Sequence, residues 1–328
     1  MGTYFKQQDL DRLRDLRATL LGMEDRSEGE AAPRYWQDRR DIELYDQIFA
    51  ARIGWKWDAV LDEIEDRHGL PAPKTVVDWG TGTGIAARKV LGRMPGIESI
   101  TLFDRDHAVL AFARRSVAEA FPAVQVIAVT EPPEDAADLA LASHVLDELD
   151  EEGLGVLHGT IARAGHVLWV EPGSKRTSRE LVRQRESLLQ DFQVLGPCTH
   201  QASCGMLTPD HKRDWCHLFA KAPAEVHTTG EWSEIHRELR IDLRSLPYSF
   251  LALRRRDLGL ADPKQEGARL LQRPRFQRGR VLLDLCDADG VRESQMLQRQ
   301  DKAFFKDLKK SPSDFRFLKE TDAGIEPV

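Results

Sequence analysis

The stretch VVDWGTGTG, residues 76–84, ends an apolar run in glycines at every second position. It reads as a strand, KTVVDWG, running into a tight loop, because Gly80, Gly82 and Gly84 carry no Cβ and allow both a sharp turn and close approach by a ligand. AARKVLGRM follows with helical spacing, so the loop opens onto a helix N-terminus whose first N–H groups lack partners within the helix.

The elements beyond the loop alternate. SITLFD, VQVIAV, ADLALASHVL and GHVLWVEPG read as strands or contain one. HAVLAFARRSVAEAF, EEGLGVLHGTIAR and RTSRELVRQRESLLQDF read as the helices between and after them. Such alternation predicts a mostly parallel α/β sheet with right-handed crossovers. Upstream, LDRLRDLRATLLGM and YDQIFAARIGWKWDAVLDEIEDRHG are amphipathic, the second closed by Gly69, Pro71 and Pro73. Past about residue 195 the rhythm breaks. YSFLALRR and GRVLLDLCDADG read as strands on either side of a polar basic linker, and the charged tail as helical. The predicted organisation is a helical region at 1–73, a core at 74–195, and a cysteine-bearing region at 196–328 that completes the sheet.

Two ligands suit the glycine loop. Gly82, Gly84 and Ala87 fit the dinucleotide pattern G-x-G-x-x-A, with Asp104 roughly 20 residues on. Asp78, Gly80, Gly82 and Gly84 fit the D-x-G-x-G-x-G loop of S-adenosylmethionine (SAM) methyltransferases, which gives Asp78 a place and suits the helical lead-in. The SAM reading is preferred, giving a class I, Rossmann-like methyltransferase sheet. Asp78, Gly80, Thr81, Gly82 and Gly84 are then candidate cofactor residues. Asp104 at the end of the second strand is placed to take the ribose hydroxyls, and Ser143 ends the fourth strand. A sheet that binds nothing is the bland alternative. No catalytic residue is assigned: SHVLDEL lacks the Asn/Asp-Pro-Pro-aromatic tetrad of nucleic-acid amino methyltransferases, and His144 is a possible base that suits packing as well.

The chain has 328 residues, 41% hydrophobic, and a formal net charge of −7, which argues against a uniformly basic surface. Residues 254–280 and 175–185 are nevertheless rich in arginine and are candidate contacts for nucleic acid, with a solvated face as the alternative. No apolar run approaches the roughly 18 residues of a membrane span. The N-terminal sequence shows no secretory or transit character, so a cytoplasmic setting is expected.

Three of the four cysteines, Cys198, Cys204 and Cys216, fall in PCTHQASCGMLTPDHKRDWCHLF, and Cys286 follows much later. A large chain without secretory character disfavours disulfides, and a loop punctuated by Pro197, Gly205 and Pro209 does not read as core. Metal binding is the remaining reading. The spacings are too loose for a zinc knuckle and suit an iron–sulfur cluster. His200, His211 and His217 keep zinc open, and spacing alone does not separate the two.

Taken together, YWQDRRDIELYDQIFAARIGW, VVDWGTGTG, SHVLDEL, VLWVEPGSKRTSRELVRQRESLL, GPCTH, CGML, DWCHLF, YSFLALRR and VLLDLCDADG resemble the mitochondrial small-ribosomal-subunit assembly factors of the methyltransferase-like class and their bacterial relatives. The resemblance implies a SAM-binding fold and a [4Fe–4S] cluster on Cys198, Cys204, Cys216 and Cys286. It also implies association with the small ribosomal subunit and its rRNA during assembly. With no presequence, a bacterial, cytoplasmic member is expected rather than one of the mitochondrial matrix. The alternative is an active SAM-dependent RNA or protein methyltransferase with a structural zinc or iron–sulfur site.

Overall fold

Leu10, Leu13 and Leu16, spaced at three residues, form the buried stripe of α1 (Gln7–Gly22). The structure, a computed structural model, describes residues 4–22, 36–244, 246–261, 263, 267–311, 315–321 and 324–328. Asp38 caps α2 (Arg39–Tyr45) by accepting from the Arg40 and Asp41 N–H groups. A π-helical turn (Asp46–Ala50) runs on into α3 (Ala51–His68). Among the described residues no helix is long and apolar enough to cross a membrane.

Strands and helices then alternate: β1 (Thr75–Trp79), α4 (Ile85–Arg93), β2 (Ser99–Phe103), α5 (His107–Ala120), β3 (Gln125–Val129), β4 (Ala137–Ser143), α6 (Glu151–Ile161), β5 (Ala164–Pro172), α7 (Lys175–Leu188) and β6 (Phe192–Gly196). After these come β7 (Leu218–Ala220), α8 (Gly230–Leu239) and β8 (Leu246–Arg255). They build one sheet in the order β3-β2-β1-β4-β5-β8-β6, with β7 also on β8. β1 to β5 pair in parallel, and β8 is antiparallel to β5, β6 and β7. One core, including Leu61, Val90, Val109 and Ile235, packs the lead-in, α4, α5 and α8 on one face. A second, around Trp169, Leu157 and Leu181, packs α6 and α7 on the other.

Two expectations are corrected. The helix expected to run through Phe192 stops at Leu188, and residues 192–196 pair with β8 instead. Burying Phe192 and Val194 beside β8 outweighs the local helical pattern. The region beyond 196 was expected to complete the first sheet, and β7 and β8 do join it. Residues from 268 onward build a second, antiparallel sheet. Its strands are β9 (Ala268–Leu270), β10 (Arg275–Gln277), β11 (Arg280–Asp287), β12 (Gly290–Leu297), β13 (Phe317–Thr321) and β14 (Gly324–Pro327). Helix α9 (Lys302–Lys310) packs Phe304 and Leu308 against Val281, Leu283 and Met296 to give this sheet its own core.

Candidate functional site

β1 and β4 are neighbours whose onward connections lead to opposite sides of the sheet, which makes their carboxyl ends the point where ligands of open α/β sheets bind. A cleft of about 240 Å³ lies there, near the lower end of small-molecule sites. Gly80, Thr81, Gly82, Asp104 and Ser143 line it. Gly82 has φ +53, and a Cβ there would meet nothing within 4 Å, so its open side faces space a ligand can fill. Asp104 accepts from the Gly82 N–H at 3.0 Å and the Asp106 N–H at 3.0 Å. Burial raises its pKa, and these two bonds oppose the rise.

Asp78 and Gly84 stand behind the loop and do not line the cleft. Asp78 is fully buried and accepts from Thr81 Oγ1 at 2.6 Å. Burial pushes it up to about 6. Its place is to brace the turn. Gly84 packs against Ala113 and Val117 of α5.

Several cleft residues were not singled out from the sequence. Trp79 Nε1 and Thr83 Oγ1 are buried in the cleft wall and have no hydrogen-bond partner among the described residues. Leu20, Trp36 and Tyr45 from the lead-in roof the cleft. Ser143 Oγ accepts from Trp57 Nε1 at 2.9 Å. His144 adopts φ +57, a conformation rare for a residue with a Cβ, and Lys56 Nζ donates to its Nε2 at 3.3 Å. Burial, then Lys56, push its pKa well below the usual imidazole value, so it is neutral. Below it, Glu171 Oε1 accepts from the Val145 and Leu146 N–H groups and from Trp169 Nε1. Burial pushes Glu171 up to about 8.

All four cysteines are free and line one enclosed, largely apolar pocket between α7, β8 and the second sheet. Cys198, Cys204 and Cys216 come from the connection between β6 and β7, and Cys286 from β11. Burial and the neighbouring thiols push Cys204 up to about 11 and Cys286 to about 12, and Cys216 further. Among the described residues, no three His, Cys, Asp or Glu side chains are grouped closely enough to hold a single metal ion. His200 lies with its Nε2 3.6 Å from Cys286 Sγ. The side chains of His211 and Asp214 bond each other, and His217 stacks on Trp215.

Arginines surround this pocket. Arg269 Nε donates to the Pro197 carbonyl, and its Nη2 pairs with Glu63 of α3. Glu63 is shared with Arg67 and Arg316, so three guanidiniums meet one carboxylate. Burial, then repulsion from Arg269, lower Arg67 to about 10. Arg185, only 2% exposed, donates to the carbonyls of His200 and Ala202 and pairs with Glu186. Among the described residues, Arg185 Nε and Arg269 Nη1 are buried without a hydrogen-bond partner. Four thiolates around a divalent metal ion or an iron–sulfur cluster form a dianion, which suits an excess of buried positive charge. The charge of the surroundings therefore suits such a dianion, while the four thiols share the pocket without being grouped for a single ion.

The two basic stretches are divided between engaged and exposed cations: Arg273, Arg278, Arg280 and Lys175 are exposed, and others are held by the protein. Arg254, Arg255 and Arg256 turn onto carbonyls of Ala261, Ala162 and Leu189, Arg269 is buried, and Arg275 pairs with Asp284 and Glu293. In the other stretch Arg176 pairs with Asp147, Arg183 with Glu180, and Arg185 is buried. Lys264, Asp262 and Glu266 lie outside the described residues.

The sheet order and the cleft at β1 and β4 define a class I SAM-methyltransferase-type α/β fold with a helical lead-in. A family profile described as "Mitochondrial small ribosomal subunit Rsm22" matches residues 49–313, and the chain belongs to that family. No curated protein matches it. Among solved structures the chain is similar to magnesium protoporphyrin IX methyltransferase (ChlM) from Synechocystis PCC 6803 with bound SAM. That match has 11% identity over 77% of this chain and 100% of the other, with a TM-score of 0.40. It is also similar to the mitomycin 7-O-methyltransferase MmcR, at 16% identity over 74% and 67%, with a TM-score of 0.41.

Proposed function

We propose that this chain is a small-ribosomal-subunit assembly factor that binds SAM at the glycine loop and carries a [4Fe–4S] cluster on Cys198, Cys204, Cys216 and Cys286. The ribosomal part rests on the family. The observation that carries the cluster is the convergence of all four cysteines on one pocket lined by Arg185 and Arg269, each with a buried nitrogen that has no hydrogen-bond partner among the described residues. A single zinc ion needs its sulfurs about 2.3 Å from one point. The loose spacing of Cys198, Cys204 and Cys216, with the fourth thiol on the distant strand β11, suits a larger group. Bound there, the cluster supplies a cross-link between the two sheets. The chain's part is to present four thiols and to screen the group from water with Met206, Leu218 and Phe250.

At the other site, SAM supplies an electrophilic methyl group. This reading assigns the ribose hydroxyls to Asp104 and the close backbone approach to Gly82, supported by both lining the cleft. The second reading is an active SAM-dependent RNA or protein methyltransferase, which rests on the same cleft at the glycine loop.

Anaerobically purified protein tests the main reading. Iron and sulfide in equal amounts, with co-sedimentation on small subunits that weakens as salt rises, are expected. One equivalent of zinc without iron overturns the cluster, and no co-sedimentation at low salt overturns the ribosomal role.

A further inference from the structure

Cys216 and Leu218 turn into the thiol pocket, and the residues between and beside them turn the other way. Trp215, His217 and Phe219 form a row of rings. Trp215 and His217 stack with centroids 5.1 Å apart, and His217 meets Phe219 edge-on at 5.0 Å. The row is pinned at one end, where Trp215 Nε1 donates to the Gly173 carbonyl at 3.0 Å. Phe219, at the other end, is 43% exposed. Among the described residues its strand, β7, pairs only with β8, so this row runs along a sheet edge.

The chain entering the row is fixed and basic. Arg179 Nη1 donates to the carbonyls of Met206, His211 and Asp214 at 2.9, 3.0 and 3.0 Å. Lys212 and Arg213 project from this clamped turn, exposed and without an ion pair among the described residues. The adjacent Asp214 carboxylate is engaged by His211 at 2.9 Å. Lys175 lies exposed two residues after the Gly173 carbonyl that holds Trp215.

Resting on the ribosomal reading above, the geometry points to this row as a surface for single-stranded RNA, with unpaired bases against the rings and phosphates on Lys212, Arg213 and Lys175. On a chain of net charge −7, unpaired cations beside aromatic rings on an open edge are a local match for a polyanion with exposed bases. A duplex offers the phosphates but keeps its bases stacked inside, so it forfeits the rings.

The test uses anaerobically purified full-length protein and a labelled oligouridine of about twelve nucleotides. Phe219→Ala and His217→Ala are each expected to weaken binding at least about fivefold, with iron content and melting temperature unchanged. Lys212→Ala with Arg213→Ala is expected to flatten the salt dependence, and a duplex of equal length to bind more weakly than the single strand. Undiminished binding by the ring variants, or equal binding of the duplex, overturns the proposal. So does a ring variant that keeps oligouridine but loses co-sedimentation with small subunits, because that row then faces a protein. If the unaltered chain co-sediments but does not bind oligouridine, this surface is refuted and the ribosomal reading stands. If it does neither, both are refuted.

Discussion

Glu63 and Arg269 form an ion pair across 206 residues of chain, joining α3 to β9 with side chains only 1% and 3% exposed. It lies beside the pocket that takes Cys286 from the same second sheet. The two sheets are thus joined by a charge pair and by the thiol pocket.

Glu63→Gln removes a carboxylate that pairs with three arginines. Leaving buried guanidiniums without a counter-charge typically costs about 3–5 kcal/mol. Denaturant unfolding is expected to show a loss of that order.

Each of Cys198→Ser, Cys204→Ser, Cys216→Ser and Cys286→Ser is expected to reduce bound iron to background, because all four line the one pocket. SAM binding by calorimetry is expected to survive in each, since the two pockets share no lining residue. Normal iron in any one variant removes that residue from the ligand set.

Asp104→Ala is expected to weaken SAM binding by about tenfold or more, the usual range for losing hydrogen bonds to a charged group. Gly82→Ala adds strain of roughly 1–2 kcal/mol and places a methyl in the cleft. Gly279→Ala, at φ +74 and also in open space, carries comparable strain far from the cleft. Calorimetry is expected to show lost affinity for Gly82→Ala and normal affinity for Gly279→Ala.

Glu171 gives a pH dependence of defined sign. Its folded pKa of about 8 lies above its ordinary value of 4.5, so the folded state holds the proton more tightly. Its contribution to stability is fully present below the ordinary value and is lost as pH rises to about 8. Glu171→Gln keeps an acceptor for the Val145, Leu146 and Trp169 N–H groups and does not ionise. Between pH 6 and 8 the unaltered protein is expected to lose on the order of 2 kcal/mol relative to the variant. Parallel denaturation curves across that range would dispose of the idea.

The first sheet was legible because its signals are local. VVDWGTGTG fixes a strand, a turn and a helix start within a few residues, and each parallel strand is a short apolar run. β6 was not, because its five buried residues follow a helix with no glycine or proline between them. The second sheet was nearly silent, with β9 and β10 only three residues long. One signal was available: Ala288-Asp289 joins β11 to β12, and Gly290, at φ +107, opens the return strand, a turn residue where a hairpin needs one. The cofactor loop was readable residue by residue, but whether a residue faces the cleft or braces it is a tertiary fact, and Asp78 shows the difference. Arginine-rich sequence reads as surface, yet Arg269 is buried by a glutamate that nothing nearby in the sequence points to.

The separation of Cys286 from the other three thiols has a consequence for biogenesis. Synthesis runs from the amino terminus, so Cys198, Cys204 and Cys216 leave the translating ribosome together, and the fourth thiol follows only after β8 and β9 have been made. A chain that stalls earlier presents an incomplete ligand set and an unshielded cavity. On the proposed ligand set, a filled centre would therefore mark a chain synthesised past Cys286, separating it from shorter nascent fragments.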